Sequence, residues 1–194
     1  MSKLLIATAN KNKVKEISNI LSSSFKAFCT FSDFDLDSPV EDANTFEGNA
    51  LIKARYGSTQ TGLPTLADDS GLCVDYLQGE PGVYSSRYAK EGDDIANYKK
   101  LLKNLERVQY DDRMAFFFTS MVMVFPQGQE ITVSGKLEGY ISESPKGKNG
   151  FGYDPVFYLP EYQKTLAELD FQTKNRISHR KKALENLLPE LRGE

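Results

Sequence analysis

The stretch from Ala115 to Ile141 constrains the fold more than any other part of the chain. Two strand-like runs, Ala115 to Phe125 and Glu130 to Ile141, flank Pro126-Gln127-Gly128. Turn residues between two such runs predict a long antiparallel hairpin. The sequence before it has a different rhythm. Lys3 to Ala7 reads as a short buried strand, Thr8-Ala9-Asn10 offers capping side chains, and Val14, Ile17, Ile20 and Leu21 recur at helical spacing. A second helix is expected from Thr45 to Tyr56, with Phe46, Ala50 and Ala54 along one face. Pro64 to Ala67 and Leu72 to Leu77 read as two strands flanking an Asp-Asp-Ser-Gly turn. Ile95, Tyr98, Leu101, Leu102 and Leu105 mark a third helix, capped by Asp93 or Asp94. After the hairpin, a Gly-rich loop from Lys146 to Asp154 leads into a strand at Val156 to Leu159. A last helix carries Ala183, Leu184, Leu187, Leu188 and Leu191. Strands and helices that alternate and are then interrupted by a hairpin predict a mixed α/β fold, not a purely parallel one. A length of 194 residues suits one domain or two small lobes sharing a core.

Composition filters the chemistry. Lys and Arg number 24 against 27 Asp and Glu, a net charge of −3, with 40% hydrophobic residues, which excludes general disorder. A membrane span needs about 18 apolar residues. The longest apolar run, Met114 to Phe125, is interrupted by Thr119 and Ser120, so no membrane association is expected. The opening Met-Ser-Lys-Leu-Leu-Ile-Ala passes straight into strand-like sequence without a secretory core, and the two cysteines, Cys29 and Cys73, suit a reducing compartment. A cytoplasmic location is expected. The single histidine, His179, and the lack of Cys/His spacing exclude a zinc site. Carboxylates and lysines are left as the chemical tools.

The two signs of charge are sorted along the chain. Lys11, Lys13 and Lys15 crowd the first helix, and Lys174, Arg176, Arg180, Lys181 and Lys182 crowd the start of the last. Between them lie Asp33, Asp35, Asp37, Glu41, Asp42, Glu47, Asp68, Asp69 and Asp75. Each run alone reads as a solvated face. Together they suit a polyphosphate that carries a hard divalent cation. The acidic balance argues against nucleic-acid binding.

Five constellations carry candidate chemistry. Thr8 to Lys13 sits between a strand end and a helix start, where free N–H groups and the helix dipole favour an anion, though a plain N-cap fits the same residues. Lys53 borders the apolar stripe of the second helix one turn after Asn49, and either snorkels to solvent or points its charge inward. Asp68-Asp69-Ser70-Gly71 follows a short apolar strand. Two readings are open there: an Asx turn that satisfies its own backbone, or a carboxylate that holds Mg²⁺ or activates a water. In an extended segment the two acids point to opposite sides. Lys146 to Asp154 has glycines that let backbone approach a ligand, aromatics for stacking in Phe151 and Tyr153, and an acceptor in Asp154. Ser178-His179-Arg180 opens the last helix with Lys174 one turn upstream, and a lone histidine there reads by itself as a surface residue.

Taken in order, these blocks resemble the Ham1 family of inosine triphosphate pyrophosphatases, the non-canonical purine triphosphate pyrophosphatases. The matching text is Thr8-x-Asn10-x-x-Lys13, Asn49-Ala50-x-x-Lys53-Ala54, Ala67-Asp68-Asp69-Ser70-Gly71-Leu72 and Pro81-Gly82-Val83-Tyr84-Ser85-x-Arg87-Tyr88. It continues with Gly150-Phe151-Gly152-Tyr153-Asp154-Pro155-x-Phe157 and Ile177-Ser178-His179-Arg180. The resemblance implies a single ITPase-like domain over residues 1–194, with an elongated mixed β-sheet flanked by helices and two lobes around a central cleft, as in ITPase-like and Maf-like folds. It implies Mg²⁺-dependent hydrolysis of ITP, dITP and XTP to the monophosphate and pyrophosphate, which cleanses the nucleotide pool, and a homodimer. On this chain it places Thr8, Ala9, Asn10, Lys11, Asn12 and Lys13 at the triphosphate, with Lys53 as a second lysine. Asp69 becomes the general base and a metal ligand, and Glu41 the other metal ligand. Ser70 contacts substrate, and Phe151, Gly152, Tyr153 and Asp154 read the base. Lys174, His179 and Arg180 grip base and phosphate. One position departs from the pattern: many relatives place an acid directly before the equivalent of Asn49, where this chain has Gly48, with Glu47 one residue earlier. Two rival functions use the same tools: a pyrophosphatase preferring modified pyrimidines or a methylated guanosine triphosphate, and a silent nucleotide sensor or RNA-binding module.

Overall fold

A computed structural model describes residues 3–192, with Asn12 represented by its backbone alone. The strands are β1 (Lys3–Ile6), β2 (Ala27–Cys29), β3 (Thr65–Val74), β4 (Met114–Val124), β5 (Glu130–Ile141), β6 (Phe157–Leu159) and β7 (Lys164–Thr165). The helices are α1 (Lys11–Leu21), α2 (Phe46–Thr61), α3 (Asp94–Asn104), α4 (Phe171–Ile177) and α5 (His179–Arg192). Among the described residues the strands form a seven-stranded sheet in the order β2-β1-β3-β4-β5-β6-β7. β1 pairs in parallel with both β2 and β3, whereas β5–β6 and β6–β7 are antiparallel. The expected mixed α/β fold is therefore present. The β4–β5 hairpin turns where Phe125 N–H donates to Gln129 O and Gly128 N–H donates back to Phe125 O. No described helix is long and apolar enough to cross a membrane.

The chain divides into two compact units. The first comprises Met1–Asp69, Thr119–Gly135 and Lys182–Glu194. Its strands bury alternate residues on two faces, as the period of two demands. Leu4, Ile6, Leu66, Met121 and Met123 pack with Ile17 and Leu21 of α1 and Ala183, Leu184 and Leu187 of α5. Leu5, Ala7, Ala67, Val122 and Val124 pack instead with Ala50 and Ala54 of α2 and with Phe31. Each large apolar side chain buried this way contributes about 1.5–3 kcal/mol. The second unit comprises Ser70–Phe118 and Lys136–Lys181. Leu72, Val74, Leu101, Leu105, Ile141, Val156, Phe157 and Leu166 belong to its core. Arg113, buried at its margin, donates to the carbonyls of Leu105, Val108 and Ser142.

Three expectations need correction. The two strands around an Asp-Asp-Ser-Gly turn are one continuous strand, β3. Within it each carboxylate meets a side chain from another element, Asp68 the Lys13 ammonium and Asp69 the Asn49 amide. α2 runs past Tyr56 to Thr61 and ends on Gly62 in the left-handed conformation. The helix passes through Gly57, where a Cβ would lie 2.7 Å from both Leu5 and Thr65 side chains, so the residue that reads as a helix breaker is what lets α2 lie close on the sheet. The third helix forms as expected with Asp93 as its cap, but Ile95 is exposed and takes no part in the core.

Candidate active site

In the first unit, two elements and a loop converge on β3. Asn10 begins α1: its Oδ1 accepts from Lys13 N–H at 3.3 Å, and Thr8 Oγ1 accepts from Asn10 N–H at 3.2 Å. Ala9, Asn10 and Lys11 are exposed and Thr8 is half-buried, so the backbone of this helix start is open to a ligand. The Asn12 side chain lies outside the described residues. Lys13 reaches from α1 to Asp68, with Nζ–Oδ2 2.7 Å and the carboxylate side chain only 1% exposed.

Asp69, the next residue of β3, belongs to the other face and is half-buried. Its Oδ2 accepts from Asn49 Nδ2 at 3.0 Å, and its carbonyl accepts from Thr119 Oγ1 at 3.3 Å. The alternation read from the sequence thus divides the acid pair: Asp68 to α1 and its lysine, Asp69 to α2 and its amide. Lys53, one turn after Asn49 and 8% exposed, does not snorkel; its Nζ meets Glu41 Oε2 at 2.6 Å. Ser70 follows Asp69 in β3 and is half-buried.

The donor set fits a hard cation. Glu41 and Asp69 offer carboxylate oxygens only, and Mg²⁺ is commonly held by one or two carboxylates together with substrate phosphates. Among the described residues no group of three or more His, Cys, Asp or Glu is placed to hold a metal by protein ligands alone. Glu41 is meanwhile paired with Lys53, so a cation held there would replace one positive partner with another.

The second unit holds the base-reading candidates. Gly150 and Gly152 adopt φ of +80° and +62°, bending the loop sharply before Tyr153. Buried Asp154 closes it by accepting from Phe151 N–H at 2.8 Å, and pairs with Lys174. Burial pushes the Asp154 carboxyl above the usual carboxylate range, against the opposing pull of the Lys174 ammonium. The Lys174 Nζ also lies 4.6 Å from the ring centroid of Phe151, which is 57% exposed and presents an aromatic face to solvent. Tyr153 is buried and donates its hydroxyl to Ser85 O at 2.8 Å; burial raises its pKa far beyond neutrality. Tyr153 thus anchors the loop from within, while the Phe151 ring faces solvent. Ser178 caps α5 by accepting from Lys181 N–H at 3.0 Å, which sets His179 and Arg180 in the first turn, both half-buried. The His179 imidazole stacks on Phe117 with centroids 5.2 Å apart and planes 12° apart, so this histidine is an oriented group and not a plain surface residue.

Two residues near these groups carry more than their sequence signal. Asn49 was visible only as a motif letter and a helical neighbour of Lys53; its contact with Asp69 spans 20 residues of chain and has no local signature. Asp94 read as a possible helix cap, yet its Oδ2 accepts from Gly152 N–H at 2.7 Å and pins the base loop to α3. Gly48 also becomes intelligible: a Cβ there would stand 2.7 Å from Ala43 Cβ and 3.0 Å from Thr45 Oγ1. A side chain at position 48 would force Ala43 or Thr45 to shift, and Glu47 beside it is exposed.

Comparison with known proteins identifies relatives along nearly the whole chain. The Ham1 family profile matches residues 4–190. A dITP/XTP pyrophosphatase from Geobacter sulfurreducens is 48% identical over 186 residues, covering 95% of this chain and 94% of the relative. One from Bacillus licheniformis is 48% identical over 189 residues, 96% of each chain. Among solved structures, a HAM1 protein from Coxiella burnetii superposes with a TM-score of 0.93 at 42% identity over 100% of both chains. The Ham1 protein of Staphylococcus aureus gives 0.91 at 38% identity over 98% of both. The resemblance drawn from six sequence blocks thus extends to the whole length and to the fold: the chain belongs to the Ham1 family.

Proposed function

We propose that the protein hydrolyses non-canonical purine nucleoside triphosphates (ITP, dITP, XTP) to the nucleoside monophosphate and pyrophosphate, with Mg²⁺, and so clears them from the nucleotide pool. The relatives named dITP/XTP pyrophosphatase support the substrate class. The observation that carries the chemistry is the division of the acid pair: one carboxylate buried against a lysine, its neighbour half-open and held by an amide.

In this reading Asp69 orients and deprotonates the water that attacks the α-phosphorus. Asn49 holds the carboxylate plane while the proton moves to it. Asp68 fixes Lys13 at the start of α1, where its ammonium and the positive end of the helix take up charge on the departing pyrophosphate. Lys53 joins them when Glu41 exchanges partners. Glu41 and Asp69, with phosphate oxygens, would hold Mg²⁺, which would supply charge neutralisation at the reacting phosphates. Phe151 stacks on the purine, Ser70 and Lys174 contact substrate, and His179 and Arg180 meet the 6-oxo edge. A 6-amino group facing those donors leaves one unpaired, at about 1–3 kcal/mol, roughly one to two powers of ten in rate.

The same reading includes a homodimer working in the cytoplasm, where Cys29 and Cys73, both free and buried, remain reduced. Sedimentation equilibrium tests the dimer. The activity is tested by a panel of triphosphates with Mg²⁺ and pyrophosphate detection. Turnover of dITP and XTP at least about tenfold above dATP is expected; preference for ATP, or for methylated guanosine triphosphate, contradicts it.

A further inference from the structure

We infer that Asn49 is the positioning residue of this site: one buried amide sets both the Asp69 carboxylate and the loop that carries Glu41. The inference rests on the hydrolytic reading above. Asn49 is 2% exposed and sits at the fourth residue of α2. Its Oδ1 accepts from Ala43 N–H at 3.0 Å, and its Nδ2 donates to Asp69 Oδ2 at 3.0 Å. The amide can be oriented only one way. A backbone N–H solely donates, which fixes the oxygen toward Ala43 and leaves the NH₂ facing a carboxylate that, when ionised, solely accepts.

Gly48 belongs to the same device. Because it lacks a side chain, Ala43 lies directly over the first turn of α2, capped by Thr45, whose Oγ1 accepts from Gly48 N–H at 3.0 Å. That seating brings Ala43 N–H within reach of Asn49 and holds Glu41, two residues back, at Lys53. Thus the two proposed metal carboxylates, 28 positions apart in sequence, share one rigid reference (69 − 41 = 28). Only Asn can do this at position 49. Aspartate keeps an oxygen for Ala43 but loses the donor, and serine reaches neither partner with an amide.

The test compares wild type, Asn49→Asp, Asn49→Ser and Asn49→Ala in steady-state kinetics on dITP with saturating Mg²⁺, and measures amide hydrogen exchange at Ala43. Asn49→Asp and Asn49→Ser should lower kcat by about 100-fold, the cost of a misaligned reacting group, with KM within about threefold. Ala43 exchange should stay slow in Asn49→Asp and accelerate at least about tenfold in Asn49→Ala, which lacks any acceptor. A folded Asn49→Asp or Asn49→Ser enzyme with kcat within about threefold of wild type overturns the inference. If neither variant folds, Ala43 exchange in the wild type decides: protection supports the anchor and its absence refutes it. An inactive wild type with a protected Ala43 amide would instead refute the hydrolytic reading and leave the anchor standing.

Discussion

At the residue scale, adjacent acids acquire different chemistry because β3 presents them to different helices. Asp69→Asn should lower turnover at least about 1000-fold, consistent with loss of a general base and a charge. Its melting temperature should stay within a few degrees of wild type, as calorimetry can check. Asp68 makes the opposite prediction. Lys13→Met takes the 2.7 Å ion pair from a carboxylate that is 1% exposed and should cost about 3 kcal/mol in urea unfolding, besides its loss of activity. The opposite orientation of the two acids was legible from their adjacency in an extended segment. Which one stays open was not, since the answer depends on Lys13 and Asn49, which lie 55 and 20 positions away. His179 shows the same limit: nothing near it in sequence announces Phe117.

At the element scale, helices were legible where apolar spacing and caps agree, as in α1 and α3. They were misjudged where packing overrules local preference. Gly57 inside α2 and Gly71 inside β3 both look like interruptions, yet the first permits close helix–sheet contact and the second lies within an unbroken strand. Gly57→Ala raises helix propensity by about 1 kcal/mol but forces a methyl to 2.7 Å from Leu5 and Thr65, both fully buried. Overpacking of that kind costs about 1–3 kcal/mol, so the variant should be no more stable than wild type and up to about 2 kcal/mol weaker by chemical denaturation. In the base loop, Gly150→Ala places a Cβ 2.0 Å from Asp154 Oδ2 at a φ of +80°. The loop should rearrange, with loss of discrimination between dITP and dATP and little change at the phosphate-binding residues.

At the scale of the whole molecule, alternation plus one hairpin was enough to foretell a mixed sheet, because parallel β1–β2–β3 pairing needs crossover helices and the hairpin cannot be parallel. Two lobes were among the expectations, but where the two units divide was not legible. Each gathers separate stretches of chain, and no change of composition marks where residues 69 and 70, or 118 and 119, part company. Stability toward acid is also a property of the whole. Hydrogen bonds hold the carboxyls of Asp33, Asp93, Glu130, Glu168 and Asp170 below their ordinary range. The native state therefore keeps them ionised where the unfolded chain takes up protons, and their contribution, present above about pH 4, is lost as pH falls through their depressed values. Asp154, raised by burial, runs the other way, favouring the fold at low pH and ceasing to do so as pH rises through its native value. Five against one, the melting temperature should fall from pH 6 to pH 3, and a flat or rising profile would contradict this balance. The central claim, water attack at the α-phosphorus directed by Asp69, is tested most directly by a single turnover of XTP in ¹⁸O-labelled water. The label should appear in the nucleoside monophosphate with unlabelled pyrophosphate released; label in pyrophosphate, or release of orthophosphate, would contradict it.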